Sequence, residues 1–297
     1  MKAVQARTRI ELKNILFATD FSPASEAALP YAIGLAKQFG AKVHGLHVRF
    51  PTTYPIVVPE SLPQVMEAAE EQAKFEAEQL HEMLVGVPHE VTVIEGELWP
   101  AIQKAVDQQK IDLVVMGTHG RTGVSRALLG SAAEEIFRLA SCPVLTVGPF
   151  VSQNTERRLA MKVILYATDF SPESLAALNY AVSLAQEHQS NLTLLHVAGR
   201  PDVGDLVYEE QYAESTLRRL RALVPLGADL WCEPKCRVER GTEAEKIMEV
   251  AVGLGADLIV LGVRSPEAGL GATTHLLRSI AHRVVALAQC PVLTVRA

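Results

Sequence analysis

The chain has 297 residues, about the length of two ordinary domains. Its residues are 48% hydrophobic and 21% charged, which is typical of globular proteins and excludes a disordered chain. The formal net charge of -6 disfavours a general nucleic-acid-binding protein, because such proteins need a basic surface. We see no signal peptide, no apolar run long enough to cross a bilayer and only four cysteines, so we expect a cytoplasmic protein.

An internal repeat divides the chain into two similar halves. The segment ILFATDFSP at 15–23 returns as ILYATDFSP at 164–172, and both halves end in CPVLTV, at 142–147 and 290–295. A repeat of this length is a whole domain and not a short solenoid unit. A polar segment between the copies reads as a linker. The predicted domains are 1–150 and 158–297.

Strands and helices alternate along the first half, and the second half repeats their order. Short apolar or β-branched runs predict strands, and apolar residues spaced three or four apart predict helices. In chain order we predict a strand at 15–19, a helix from Ser22 to Gly40, a strand at 43–48, a helix at 61–85, a strand at 90–95, a helix at 98–109, a strand at 112–116, a helix from about Ser131 and a strand at 143–147.

Strict alternation of strands and helices implies parallel strands joined by right-handed crossovers. Runs such as ILFA and LVVM are apolar without a break, which is typical of central strands covered on both faces. We therefore predict an α/β protein with two tandem, doubly wound, five-stranded parallel-sheet domains of Rossmann-like type. Such sheets bind ligands beyond the carboxyl ends of strands where the strand order reverses, which directs attention to the loops after the first and fourth strands.

Asp20 follows the first strand in the run Ala18-Thr19-Asp20. Its carboxylate either ends the strand and helps to cap the next helix, or it binds a ligand hydroxyl group or a metal ion. Because Ser22 and Pro23 already account for the start of the helix, we favour the ligand.

A glycine-rich segment follows the fourth strand. It reads GTHG at 117–120 and, after nine further residues, Gly130-Ser131 at the start of a helix. Gly117 and Gly120 permit a left-handed backbone and close approach of a ligand, and free amides at a helix N-terminus favour an anion. The two elements could clasp a polyphosphate; the alternative is an ordinary loop before a capped helix. Further donors between them are Arg121, Ser125 and Arg126.

Other motifs of nucleotide-binding and catalytic proteins are not found in the sequence. No Walker A loop occurs, no dinucleotide fingerprint follows a strand, and the HExxH, GxSxG and CxxC signatures are lacking. Cys232 and Cys236 have no further ligands nearby, so we predict no metal site in the protein itself. The helix at 61–85 carries a run of glutamates that we interpret as a solvated face. These are Glu67, Glu70, Glu71, Glu76, Glu78 and Glu82.

The sequence resembles the universal stress protein family in its tandem two-domain form. The resemblance rests on ATDFS at 18–22, LHV at 46–48, the terminal CPVLTV and the glycine pattern G-x2-G-x9-G-S that begins at Gly117, and it covers nearly the whole chain. It implies domains of the adenine nucleotide alpha hydrolase-like type that pair through their last strands. It also implies ATP as the cofactor, accompanied by Mg²⁺.

The resemblance assigns parts of the nucleotide to residues of the first half. Adenine would lie near Ala18, Thr19 and Val48, and the ribose near Asp20 and Gly117. The residues implied to hold the phosphates are His119, Gly120, Gly130, Ser131 and Ala132. The predicted cofactor site further includes Met116 and Arg121.

The second half departs from this pattern. Asp169 and Gly262 are retained, but Arg278 stands where a glycine precedes Ser279, and Glu267 would repel phosphate. Seventeen residues separate Gly262 from Ser279, where the first half has fourteen. A Cβ atom before the helix hinders close approach of a ligand, although the Arg278 side chain could bind an anion. We expect one ATP per chain, in the first half.

The most consistent function is an ATP-binding stress-response or regulatory protein in which ATP biases conformation or pairing, with slow hydrolysis at most. One alternative is an ATPase or an adenylate-forming enzyme, although no inserted catalytic segment is visible. Another is a pairing module that binds a different small ligand. The expected partners are a nucleotide, the second half as an intramolecular pseudo-dimer through the last strands, and a second copy in a homodimer; neither nucleic acid nor a membrane is expected.

Overall fold

The computed structural model describes residues 9–49, 62–118, 129–151, 159–199, 206–225, 228, 230–264 and 279–296. The strands in these ranges are β1 (Asn14–Thr19), β2 (Lys42–Arg49), β3 (His89–Glu95), β4 (Leu113–Gly117), β5 (Val144–Val147), β6 (Val163–Ala167), β7 (Asn191–Ala198), β8 (Lys235–Arg240), β9 (Leu258–Val263) and β10 (Val292–Arg296). The helices are α1 (Pro23–Glu26), α2 (Leu29–Phe39), α3 (Leu62–Met83), α4 (Leu98–Gln109), α5 (Ser131–Leu139), α6 (Pro172–His188), α7 (Leu206–Leu223), α8 (Glu243–Leu254) and α9 (Ile280–Leu287).

The strands form one sheet in the order β3-β2-β1-β4-β5-β10-β9-β6-β7-β8. Neighbours within each half are parallel, whereas β5 and β10 are antiparallel, with Leu145 opposite Leu293. The predicted α/β fold with two five-stranded parallel sheets is confirmed, and the two sheets are continuous. Because β5 and β10 are antiparallel, the carboxyl ends of the strands lie at opposite edges of the sheet in the two halves.

The central strands are buried on both faces. In β1, Ile15 and Phe17 belong to the core on one side of the sheet, and Leu16 and Ala18 belong to the core on the other side. This explains the unbroken apolar runs, because helices cover both faces of a parallel sheet. No helix within the described ranges is both long enough and apolar enough to cross a membrane.

The single helix predicted from Ser22 to Gly40 is wrong, because the chain forms two helices, α1 and α2, there. Pro30 lies in the first turn of α2, and a proline has no amide hydrogen to donate to the preceding turn. The second half carries Asn179 at the matching position, and α6 runs through without a break. Gly40 ends α2 in the left-handed conformation with φ of 66°, as predicted.

The interpretation of α3 as a helix with all its glutamates in solvent is wrong at one position. Glu76 is buried, with 7% of its surface exposed. It precedes the buried Leu80 by four residues and Leu84 by eight, so it belongs to the stripe of α3 that faces the sheet. The other five glutamates are exposed.

Candidate functional site

Short hydrogen bonds shape the loop that joins β1 to α1. Phe21 adopts a left-handed conformation with φ of 57°, and its amide donates to Thr19 Oγ1 over 3.0 Å. The Ser22 amide donates to Asp20 Oδ1 over 3.0 Å, and the Ser25 amide donates to Ser22 Oγ over 3.2 Å. One oxygen of the Asp20 carboxylate therefore helps to hold the loop, and the predicted contact of Asp20 with a ligand stays a prediction.

Gly117 owes its missing side chain to the packing of α1. It is the last residue of β4, in extended backbone, so the left-handed conformation that a glycine permits is not used there. A Cβ atom at Gly117 would lie 2.5 Å from the Ala24 carbonyl oxygen in α1. At Gly262 in β9, a Cβ atom would meet the backbone of Ser174 in α6 even more closely. The glycine is therefore needed where a helix backbone approaches the strand end in each half.

The N-terminus of α5 lies beside the end of β4. The Gly130 amide donates to the Thr118 carbonyl oxygen over 2.9 Å, and the Thr118 amide donates to the Val147 carbonyl oxygen over 3.0 Å. Gly130 is the N-cap residue and offers no side-chain acceptor to the first amides of α5. Ser131, the first helical residue, is exposed. Free amides and the helix dipole favour an anion at such a helix start.

The structure brings together the predicted site residues at the ends of β1, β2 and β4. In the sheet register Ala18 lies beside Met116, and Thr19 pairs with His47 of the next strand. Ala18, Thr19, Val48 and Met116 are buried, and Asp20 is half-buried. The backbone of Ala132 continues α5 after Ser131. Three residues of the predicted cofactor site lie outside the described ranges: His119, Gly120 and Arg121; the further donors Ser125 and Arg126 also lie outside them.

A buried cluster of charged and polar side chains supports this site, and we did not predict it. His47 Nδ1 lies 2.8 Å from the Thr19 carbonyl oxygen, and its ring lies 4.7 Å from the Phe21 ring. Glu76 Oε2 lies 3.4 Å from Arg49 Nε and 3.8 Å from His47 Nε2, without a hydrogen-bond partner. The cluster ties α3 to the end of β2. The spacing from Glu76 to Leu80 was the sequence signal that could have revealed it.

The second half has a crevice at the corresponding ends of β6, β7 and β9. The crevice contains about 510 Å³ of space, including its open mouth, and most of its lining surface is apolar. It is lined by Ala167, Thr168, Asp169, Ser174, Leu195, Val197, Glu243, Ile247, Leu261, Gly262, Ile280 and Ala281.

Asp169 occupies the place in this crevice that Asp20 has in the first half. Its Oδ1 accepts the Ser171 amide over 2.9 Å, and its Oδ2 lies 3.4 Å from Arg264 Nη2. Burial by itself raises the pKa of Asp169, but hydrogen bonds from Ser171 and Ser174 and the charge of Arg264 outweigh it. The pKa of Asp169 therefore lies below its usual value.

The helix beside this crevice has a side-chain cap. Ser279 is the N-cap residue of α9, and its Oγ accepts the His282 amide over 3.1 Å. An amide that would otherwise be available to an anion is thus already bonded. Ser265, Glu267 and Arg278, which the sequence identified as departures from the first half, lie outside the described ranges.

Comparison with known proteins gives a consistent result along the whole chain. The model of the universal stress protein family matches residues 11–148 and 161–296. A universal stress protein of Mycolicibacterium smegmatis is 32% identical over 295 residues, covering 95% of this chain and 96% of the relative. One of Methanocaldococcus jannaschii is 35% identical over 138 residues, covering 46% of this chain and 81% of the relative.

A solved structure supports the fold. The crystal structure of a universal stress protein from Archaeoglobus fulgidus superposes with a TM-score of 0.68. The alignment covers 97% of this chain and 98% of that one. At 22% sequence identity, this likeness concerns the architecture alone.

Proposed function

Because this chain belongs to the universal stress protein family, we propose that it is a stress-response regulatory protein that binds one ATP in its first half. ATP would bias the conformation or the pairing of the protein, and hydrolysis would be slow at most. The proposed site is formed by the ends of β1, β2 and β4 together with the N-terminus of α5.

The observation that carries this proposal is the start of α5. Gly130, the N-cap residue, has no side chain with which to cap the first amides of the helix, and its own amide fixes the helix start beside β4. A helix N-terminus in this position favours phosphate through its amides and its dipole. The buried ends of β1 and β4, at Ala18 and Met116, supply an apolar surface next to it for the base.

The difference between the halves supports a single ATP per chain. Ser279 caps the equivalent helix in the second half, and Glu243 lines the crevice next to it, where the first half has Leu98 at the first position of α4. Both features disfavour a phosphate tail there. We expect Mg²⁺ to enter bound to the phosphates of ATP, as Mg²⁺ commonly does in nucleotide sites.

The pairing of the two halves is the part of the structure that bound ATP would bias. We propose that β5 and β10 join the two domains as an intramolecular pseudo-dimer, supported by their antiparallel register around Leu145 and Leu293. Covalent fusion keeps the partner domain at high effective concentration. A homodimer of two chains would be a further level of assembly.

Matched acidic substitutions at the two helix starts test the proposal. Ser131→Glu adds a carboxylate at the first position of α5, where an acidic residue is compatible with the helix dipole. We expect it to weaken Mg-ATP binding by at least about tenfold through repulsion of the phosphates. The matched variant Ile280→Glu, at the first position of α9, should leave ATP binding unchanged.

Isothermal titration calorimetry of the full chain measures both the affinity and the stoichiometry. The expected result is one ATP per chain. Two equal sites, or equal effects of the two substitutions, would contradict the asymmetry. Lack of Mg-ATP binding at millimolar concentration would contradict the proposed function itself.

A further inference from the structure

Two side-chain hydrogen bonds cross the interface between β5 and β10 in a symmetric way. Thr146 Oγ1 donates to the Val292 carbonyl oxygen over 3.1 Å, and Thr294 Oγ1 donates to the Val144 carbonyl oxygen over 3.2 Å. These residues occupy matching positions in the two copies of CPVLTV, at 142–147 and 290–295. The two halves therefore contribute equivalent contacts to this part of the interface.

The residue that follows CPVLTV breaks the symmetry. It is Gly148 in the first half and Arg296 in the second. A Cβ atom at Gly148 would lie 3.8 Å from the Val285 carbonyl oxygen and 3.7 Å from that of Ala288, at the C-terminal end of α9. Position 148 thus lies next to the end of the helix of the other half, but glycine has no side chain with which to bind it.

Arg296 uses the equivalent position to bind the end of α5. Its Nη2 donates to the Phe137 carbonyl oxygen over 2.9 Å, and its Nη1 donates to the Arg264 carbonyl oxygen over 3.0 Å. Phe137 lies in the last turn of α5, where carbonyl oxygens lack partners within the helix. A cationic donor also suits the negative end of the helix dipole. One side chain of the second half therefore holds a helix of the first half.

The environment of this contact strengthens it. The Arg296 side chain is partly buried, and burial lowers the pKa of its guanidinium, which stays charged at neutral pH. Phe137 is buried, with 2% of its surface exposed. Loss of the donor would leave a buried carbonyl oxygen without this partner, which costs more than loss of an exposed ion pair.

The two ends of α5 are held by different halves of the chain. At the start, the Gly130 amide donates to the Thr118 carbonyl oxygen over 2.9 Å, within the first half. At the end, Arg296 donates from the second half. The helix has nine residues and is about 13 Å long, so it moves as one body. The direction of its first amides therefore depends on both attachments.

We propose that Arg296 is a positioning residue of the ATP site, which holds α5 from the second half so that ATP binding and the pairing of β5 with β10 strengthen each other. This inference rests on the proposed function, because it concerns the same phosphate-binding helix. Such coupling is reciprocal: if pairing favours ATP, then ATP favours pairing to the same extent. The contact acts in one direction, because Gly148 offers α9 no such side chain.

Calorimetry of the full chain with Mg-ATP tests the contribution of Arg296 to affinity. Arg296→Met keeps an unbranched side chain but removes the charge and the donors, and should weaken ATP binding about fivefold. Arg296→Lys keeps the charge and should restore part of the affinity. The control Arg237→Met removes an arginine from β8, at the outer edge of the sheet, where it lies 2.6 Å from Glu239. It should leave ATP affinity unchanged.

Hydrogen exchange of the full chain separates positioning from general stabilisation. Peptides from α9 and β10, in the second half, are followed without ATP and with Mg-ATP at saturation for each protein. In the unmodified chain we expect ATP to slow their exchange at least about threefold, and in Arg296→Met we expect no such slowing. A residue that only stabilises the fold would speed exchange in both conditions and leave the effect of ATP as before.

Three results would overturn the inference alone: equal ATP affinity of Arg296→Met and the unmodified chain, no slowing of exchange by ATP in the second half of the unmodified chain, or slowing that persists in the variant. Lack of ATP binding by the unmodified chain would instead contradict the proposed function, and the inference with it. Thermal melting verifies that the variants are folded. If Arg296→Met is unfolded, the same comparisons are made with Arg296→Lys, for which smaller changes in the same directions are expected.

Discussion

The helix after the fourth strand begins differently in the two halves. In the first half Gly130 precedes α5 and offers no side-chain acceptor, whereas in the second half Ser279 precedes α9 and bonds the His282 amide. The first backbone amides of a helix have no partners within the helix, and the two halves provide for them in different ways. An N-terminus capped by its own chain is stable without a ligand, and an uncapped one gains from an anion. Two similar domains can in this way acquire different ligands without any change of topology.

The largest expected effect concerns a feature that the halves share, the glycine of β4 and of β9 that packs against a helix backbone. Gly117→Ala and Gly262→Ala should each cost about 2–3 kcal/mol, because the added methyl group meets a helix backbone. Urea denaturation measures the loss. Similar costs would show that the glycine has the same structural role in both halves. If Gly117→Ala lowered only ATP affinity and left stability unchanged, the glycine would serve the ligand instead.

The next largest effect is expected at the buried cluster of Glu76, Arg49 and His47 in the first half. Glu76→Ala removes the carboxylate next to Arg49 and His47. We expect the free energy of unfolding to fall by about 2 kcal/mol. This is less than for a fully buried ion pair, because the Arg49 side chain is partly exposed. Thr216, four residues before the buried Leu220 of α7, has the comparable place in the second half. Thr216→Val should change the unfolding free energy by less than half as much, and equal losses would contradict a special role for the ionic cluster.

Exchange of the caps tests the main difference directly. Ser279→Ala removes a side-chain cap and should cost about 1 kcal/mol, measured by chemical denaturation. Gly130→Ser places a hydroxyl group where it competes with phosphate for the amides, and Gly130 has φ of -64°, which serine adopts readily. We expect a gain of a few tenths of a kcal/mol in stability and roughly threefold weaker ATP binding. An unchanged ATP affinity would indicate that the phosphates do not contact this helix start.

The sequence was most informative where one local pattern determines the structure. Unbroken apolar runs predicted the buried strands, and Gly40 and Ser131 marked helix boundaries that the structure has within a residue. The break between α1 and α2 was also encoded locally, by Pro30, but the strong apolar period of the whole segment concealed it. Ala18 and Met116 come together because parallel strands end at the same edge of a sheet, which topology alone predicts.

Features that depend on contacts between distant segments could not be predicted in the same way. Gly117 looks like a loop glycine in the sequence, and only the approach of α1 to β4 shows why it lacks a side chain. Glu76 is one of six similar glutamates, and its pairing with Arg49 requires knowing which stripe of α3 faces the sheet. The partners of Asp20 likewise follow from the left-handed turn at Phe21, which no residue type requires.

The smallest expected effect is a difference in acid stability. The pKa of Asp169 in the folded protein lies below its usual value of 3.8, so its ionised form stabilises the fold above that pH. This contribution is lost as the pH falls below 3.8 and through the folded-state pKa, because the carboxylate must then take up a proton. The asparagine in Asp169→Asn cannot titrate, so the stability of this variant should fall less between about pH 5 and about pH 2 than that of the unmodified chain. Denaturant midpoints measured at matched pH report this difference. Parallel pH profiles for the two proteins would mean that Arg264 and the Ser171 amide do not favour the ionised form of the carboxylate.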